Sequence, residues 1–401
     1  MAFRGFYFEK RYGKISAEVI LMKKCGREVL FLPTGEGNPR NGESSFIRLK
    51  DGGVMHAYTE YFGDSREDEA IARLCAVISY DEGESWGERR VLLEKAPEEQ
   101  NIMSPSLFRM KNGNLGMLYL RKMNSNGMIT CMPVFRSSAD EGNSWSDFTF
   151  CIEKEGYYCG INDVVLPTKS GRIYFPLSYH GDCYGESDHL FYPTDQTADV
   201  RIVYSDDDGK SWQTCKGIIE SPFQDRLGFG EPGVLELPDG RLWCWFRSCY
   251  GFQYHSFSTD EGESWTAAKP NFYFTSPDAP MRVRTVGKYT LAVWNPVPLN
   301  PVAELREEWE SGKRTPLACA VSTDGGLSFD NGTHALAGRS QKKFSDRVIL
   351  LEDDPINSFC YPAITEVKDG FLVSYYHSNN EPNCLNCTKV IKVGFDELEN
   401  L

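Results

Sequence analysis

The chain lacks any uninterrupted apolar run near the roughly 18 residues that a membrane-crossing helix needs, and residues 1–11 contain no apolar stretch of signal-peptide length. It is also short of positive charge. Its 43 Lys and Arg stand against 57 Asp and Glu, a formal net of −14, which is the wrong sign for covering nucleic-acid phosphates. Neither a nucleic acid nor a membrane is expected as a partner. Cys384-x-x-Cys387 has no second Cys pair or His pair at ligand spacing nearby, so no metal and no other cofactor is expected. The 13 cysteines are an odd number scattered along the chain, which suits reduced, buried thiols and a cytoplasmic location better than a disulfide framework.

What the sequence has in quantity is repetition. An apolar strand, a Gly-containing turn and a second apolar strand recur over residues 46–58, 107–119, 164–176, 234–246, 283–294 and 364–376. Asp-Gly, Asn-Gly and Ser-Gly between such runs signal hairpins, because these residues tolerate the positive φ of a tight turn. After the first five hairpins comes a second motif, Ser79-x-Asp81-x-Gly83-x-Ser85-Trp86, with its cognates on Asp140, Asp207, Asp260 and Asp324, spaced 53 to 67 residues apart. These look like Asp-boxes, turns whose aspartate accepts bonds from loop N–H groups while the aromatic packs between sheets. A residue type that recurs on separate units is a structural staple rather than a catalyst.

A hairpin followed by a second one closed by an Asp-box makes a four-stranded antiparallel sheet. Six such sheets predict an all-β, six-bladed β-propeller with Asp-box repeats, a single domain over residues 1–401 at about 67 residues per blade. The sixth unit has no box and one clear strand, 388–393, after its hairpin. Strands around 19–22 and 28–32 are expected to complete it and close the ring.

In such a blade the turn between strands one and two lies on the same side as the turn between strands three and four, so Asp-Gly turns and Asp-boxes share one face. The opposite face carries the residues before each first strand and after each second one. That geometry selects Arg40, Glu43 and the loop 60–69 with Asp64 and Asp68 from blade one, and Ser104 and Arg121 from blade two. Blade three offers Asn162, Asp163 and His180; blade four offers Glu231, Arg247, Gln253 and Tyr254; blade five offers Asn295 and the loop to Arg314; blade six offers Tyr361 and His377. Arginine forks suit carboxylates, and carboxyl groups of separated pKa suit glycosidic bond cleavage.

With these motifs in place, nearly the whole chain resembles the sialidase (neuraminidase) superfamily. The segment from Glu231-Pro-Gly-Val to Trp-Phe-Arg247 is similar to that family's fourth blade, and Tyr361 in Phe-Cys-Tyr-Pro-Ala-Ile opens blade six as the family's tyrosine does. The resemblance implies a retaining exo-glycosidase acting on an oligosaccharide or glycoside that ends in an acidic sugar. Tyr361 would be the nucleophile, polarised by Glu231, and Asp68 the acid/base, with Asp64 in reserve. Arg247, Arg314 and Arg40 would hold the sugar carboxylate, with Asp64, Asp163, His180 and Arg121 also lining the substrate site. Blade one departs from the pattern: in Asn38-Pro-Arg-Asn-Gly-Glu-Ser-Ser-Phe-Ile, Glu43 falls where the family's first arginine belongs, and Arg40 fills that role only from a shifted backbone. A different acidic sugar and a non-catalytic carbohydrate-binding propeller are the alternatives.

Overall fold

A computed structural model describes residues 22–182, 184–185, 197–222, 228–297, 314–329, 347–381 and 384–399. Its strands fall on the repeats. In blade one, Arg40–Arg48, Val54–Tyr61, Ala72–Ser79 and Arg90–Leu93 pair antiparallel in chain order. Every residue of Val54–Tyr61 is buried, because a strand in the middle of a blade is covered on both faces by neighbouring blades. Blades two, four and five repeat this order from first strands Asn101–Arg109, Gly230–Glu236 and Arg282–Val286. In blade three the first strand is broken: Tyr158–Cys159 and Leu166–Pro167 both pair with Ile173–Tyr179. The six sheets form a six-bladed propeller, with the first strands around the axis.

Ring closure follows expectation at the strand around 28–32. Arg27–Leu32 pairs with Cys387–Gly394 and supplies the outermost strand of blade six. The other N-terminal strand is expected around 19–22. Its residues 19–21 lie outside the described part, and the adjoining Lys23–Lys24 pairs in parallel with Val348–Glu352 of blade five. Among the described residues no disulfide joins two cysteines, Cys384 and Cys387 included.

All five boxes share one hydrogen-bond pattern. In the first, Ser79 Oγ donates to Asp81 Oδ1 at 2.8 Å, and Gly83 N donates to Ser79 Oγ at 2.8 Å. Ser85 N donates to Asp81 Oδ1 at 2.8 Å, and Ser85 Oγ to Oδ2. The box then reaches the preceding blade in two ways. Its aromatic packs there: Trp212 lies 5.6 Å from Phe135, and the buried Phe329 lies 5.9 Å from Trp243, a burial worth about 2 kcal/mol for Phe329. In the first three boxes the acid after the box aspartate accepts a backbone N–H from the preceding hairpin turn. Glu82 takes Lys368 N of blade six, Glu141 takes Lys50 N, and Asp208 takes Lys111 N.

At the axis the connector is Asp163, whose side chain is fully buried. Its carboxylate accepts Ser45 Oγ from blade one at 2.9 Å, Arg282 Nε and Arg284 Nη1 from blade five at 3.1 and 3.2 Å, and Ile364 N from blade six at 3.2 Å. Its own N–H donates to Pro105 O of blade two. The expectation that Asp163 contacts substrate is thereby corrected: every lone pair is turned into the protein. Replacing it strands the buried Arg282 guanidinium without its counter-ion, so Asp163→Ala is expected to lower unfolding free energy by about 3–5 kcal/mol in a denaturant titration. A loss below about 1 kcal/mol would show that the axis is held by something else.

Candidate functional site

In each blade one residue, within the first strand or in the segment that leads into it, takes the left-handed region. These are Glu43 (φ 48°), Ser104 (56°), Asp163 (59°), Glu231 (46°), Asp278 (58°) and Tyr361 (54°), one per blade and none of them glycine. In blades one, two, four and six the pairing register slips at this point, as at a β-bulge. A left-handed L-residue costs about 1–2 kcal/mol. Strain of this kind persists where surrounding structure over-determines it. The consequence here is a ring of side chains leaving their strands to meet across blades.

Two halves of the ring can be distinguished. In the first, Tyr361 donates its phenol proton to Glu231 Oε1, and Arg247 Nη1 reaches Glu231 Oε2 at 2.8 Å and Tyr361 Oη at 3.5 Å. The Arg314 guanidinium lies 5.8 Å from the Tyr361 ring centre. Burial and the Glu231 carboxylate push the Tyr361 phenol well above its usual pKa, against the opposing pull of Arg247 and Arg314. The phenol is neutral at rest, with an acceptor already in place for its proton. Asn295 steadies Arg314 by donating Nδ2 to its carbonyl at 3.0 Å.

In the second half, Arg40 donates to Asp68 Oδ1 at 2.5 Å, Glu43 Oε1 at 3.2 Å and Tyr376 Oη at 2.9 Å. Ser104 Oγ donates to the other Glu43 oxygen. Burial raises the Glu43 carboxyl to about 7, with Arg40 pulling the other way. Asp68 behaves oppositely. Surrounding protein would raise it, but Arg40, Lys122 and Arg314 outweigh that and hold it at about 2. Its side chain keeps 59% of its surface open, so the carboxylate is reachable by a ligand. Tyr376 joins the halves, its ring edge-on to Tyr361 at 5.7 Å.

A family model described as a BNR repeat-like domain matches residues 55–374. The chain belongs to that family. No curated protein sequence matches this BNR repeat-like chain. Among solved structures, a Hadza microbial sialidase is 13% identical with a TM-score of 0.67, over 93% of this chain and 69% of that one. The leech intramolecular trans-sialidase is 15% identical with a TM-score of 0.62, over 94% and 71%. A Dyadobacter fermentans protein of unknown function is 17% identical with a TM-score of 0.64, over 92% and 99%. At these identities the likeness is one of fold.

Within this BNR repeat-like ring the expected residues separate clearly. Tyr361, Glu231, Arg247, Arg314, Arg40 and Asp68 form one connected cluster. His180 borders it, edge-on to Tyr157 at 6.1 Å, and burial together with Arg247 lowers it to about 4, so it is neutral at pH 7. Asp64 is exposed on the rim beside Ser65 and Glu67, and Asp68 is the loop acid that meets Arg40. Arg121 points away: it bonds Glu99 at 2.5 Å and lies 4.9 Å from the Phe148 ring centre. The loop 298–313 lies outside the described residues.

Lys122, Asp278, Cys360 and Tyr376 are the cluster members that the sequence argument missed. Lys122 is the strand neighbour of Arg121 and so takes the opposite face; it donates to Asp68 O at 2.9 Å and Glu69 Oε1 at 3.1 Å. A usable signal existed for the ring itself. Glu43, Ser104, Glu231 and Tyr361 each stand three residues ahead of the first residue of a repeated hairpin. Gly42 permits the junction of the two halves, since a Cβ there would lie 1.8 Å from the Tyr376 ring. Gly42→Ala must displace that buried ring and is expected to cost about 1–3 kcal/mol in urea unfolding; an unchanged midpoint would contradict this packing.

Proposed function

We propose that this protein is an exo-acting, retaining glycosidase that releases a terminal acidic sugar, sialic acid or a related ulosonic acid, from an oligosaccharide or glycoside. The observation that carries the reading is the Tyr361–Glu231 hydrogen bond, closed by Arg247 and flanked by Arg314. A neutral phenol suits an anomeric carbon bearing a carboxylate, where an ionised Asp or Glu nucleophile would meet like charge. Tyr361 Oη attacks that carbon as its proton passes to Glu231. The glycosidic C–O bond breaks, and Asp68 protonates the departing oxygen. Water then attacks the glycosyl-tyrosine, with Asp68 taking its proton and Glu231 returning one to the phenol.

Asp68 must hold a proton for the first step, yet Arg40 keeps it ionised in the unliganded site. An arriving sugar carboxylate shifts that balance towards protonation, because it offsets the Arg314 charge that helps to depress Asp68. A binding-only propeller is the second reading, and the Arg40–Asp68 ion pair is what favours it. Release of a chromogenic aglycone from sialosides separates the two. Turnover by the wild type that falls by about 100-fold or more in Tyr361→Phe supports the glycosidase. Sugar binding without turnover supports the alternative, and near wild-type rates in Tyr361→Phe sink the assignment of the nucleophile.

The Glu43 carboxyl, raised to about 7, is neutral below that pH and anionic above it. An anionic sugar therefore meets one more negative charge as pH rises. The value of kcat/KM for an anionic glycoside is expected to fall through about pH 7, and Glu43→Gln to flatten that limb. A limb unchanged in Glu43→Gln would assign it to another group.

A further inference from the structure

Asp278 has no task in the reaction above, yet it engages the arginine at its centre. Its Oδ1 accepts Arg247 Nε at 2.7 Å and its Oδ2 accepts Nη2 at 3.1 Å, while Glu231 takes Nη1. The two-toothed edge by which a guanidinium matches a carboxylate is thus filled from within the protein. Arg40 is similarly occupied by Asp68 and Glu43. Arg314 differs. Its Nη1 meets Cys360 Sγ and its Nη2 the Asp278 carbonyl, both at 3.1 Å, and among the described residues no carboxylate oxygen is bonded to it. Arg247 and Asp278 keep 23% and 28% of their side-chain surface open, so a ligand at the axis meets both.

Resting on the glycosidase reading, we infer that Asp278 is a specificity-determining residue: it holds the Arg247 edge against a second carboxylate and steers the sugar's carboxylate to Arg314. A carboxylate placed on Arg247 would sit against both Asp278 and Glu231, and like charges so juxtaposed are strongly disfavoured. The unused lone pairs of Asp278 suit a hydroxyl or ammonium donor on the same sugar. The substrate class that fits is a sugar with one carboxylate and a donor group beside it.

The test is calorimetric titration of the full chain with N-acetylneuraminic acid and with its methyl ester. Asn accepts a left-handed backbone about as readily as Asp, so Asp278→Asn removes the charge and keeps the ring geometry; Asp278→Gly, equally at ease at φ 58°, serves as a second variant if the first does not fold. Asp278→Asn is expected to bind the free acid about tenfold or more tightly, with little change for the ester, and Arg314→Met to weaken the acid about tenfold or more. Equal gains for acid and ester, an unchanged affinity for the acid, or no measurable binding by wild type and variant alike would each overturn the inference. The glycosidase reading stands or falls separately, on loss of turnover in Tyr361→Phe.

Discussion

The structure depends on one buried carboxylate at its axis. Sheets in a propeller satisfy their backbone hydrogen bonds almost wholly within themselves, so little in the ladders holds one blade to the next. Asp163 supplies that cohesion at the centre, joining blade three to blades one, two, five and six through side-chain and backbone bonds. It is affordable there only because two arginines face it, since an unpaired charge in such a place would be costly. At the periphery the Asp-boxes do the complementary work. Their aromatics, helped in several boxes by the acid that follows the aspartate, fasten them to the blade before.

The six left-handed residues convert this mechanical frame into a chemical one. One backbone device, repeated around the ring, delivers a different side chain from each blade. Asp163 serves the frame, whereas Tyr361 and Glu231 meet as a phenol and its acceptor. Glu43 and Asp278 each hold an arginine. Tertiary contacts across the axis pin these conformations, so the geometry of the pair Tyr361–Glu231 is set before any ligand arrives.

Much of this was legible in the sequence because it repeats. Hairpins and boxes share spacing and chemistry, so blade number, topology and the face bearing Glu231, Arg247 and Tyr361 could be read from position alone. The remainder turned on features that topology does not carry. Arg121 and Lys122 differ by one residue and therefore by a whole face of the strand. Asp163 occupies a position equivalent to that of Tyr361, but the break in its strand and two arginines of blade five turn it into the core. Residues Lys23–Lys24 pair in parallel with a neighbouring blade, a partner choice that no local pattern announces. Glu43 in place of an arginine was visible, while its bond from Ser104 and its contact with Arg40 required the fold.

The most direct test of this account is to trap the covalent intermediate. Incubating the full chain with a 3-fluorosialosyl fluoride, a slow substrate with a good leaving group, and mapping the product by peptide mass spectrometry should place one glycosyl adduct on the peptide containing Tyr361. Hydrolysis of the probe without any adduct, or an adduct on another residue, would contradict it.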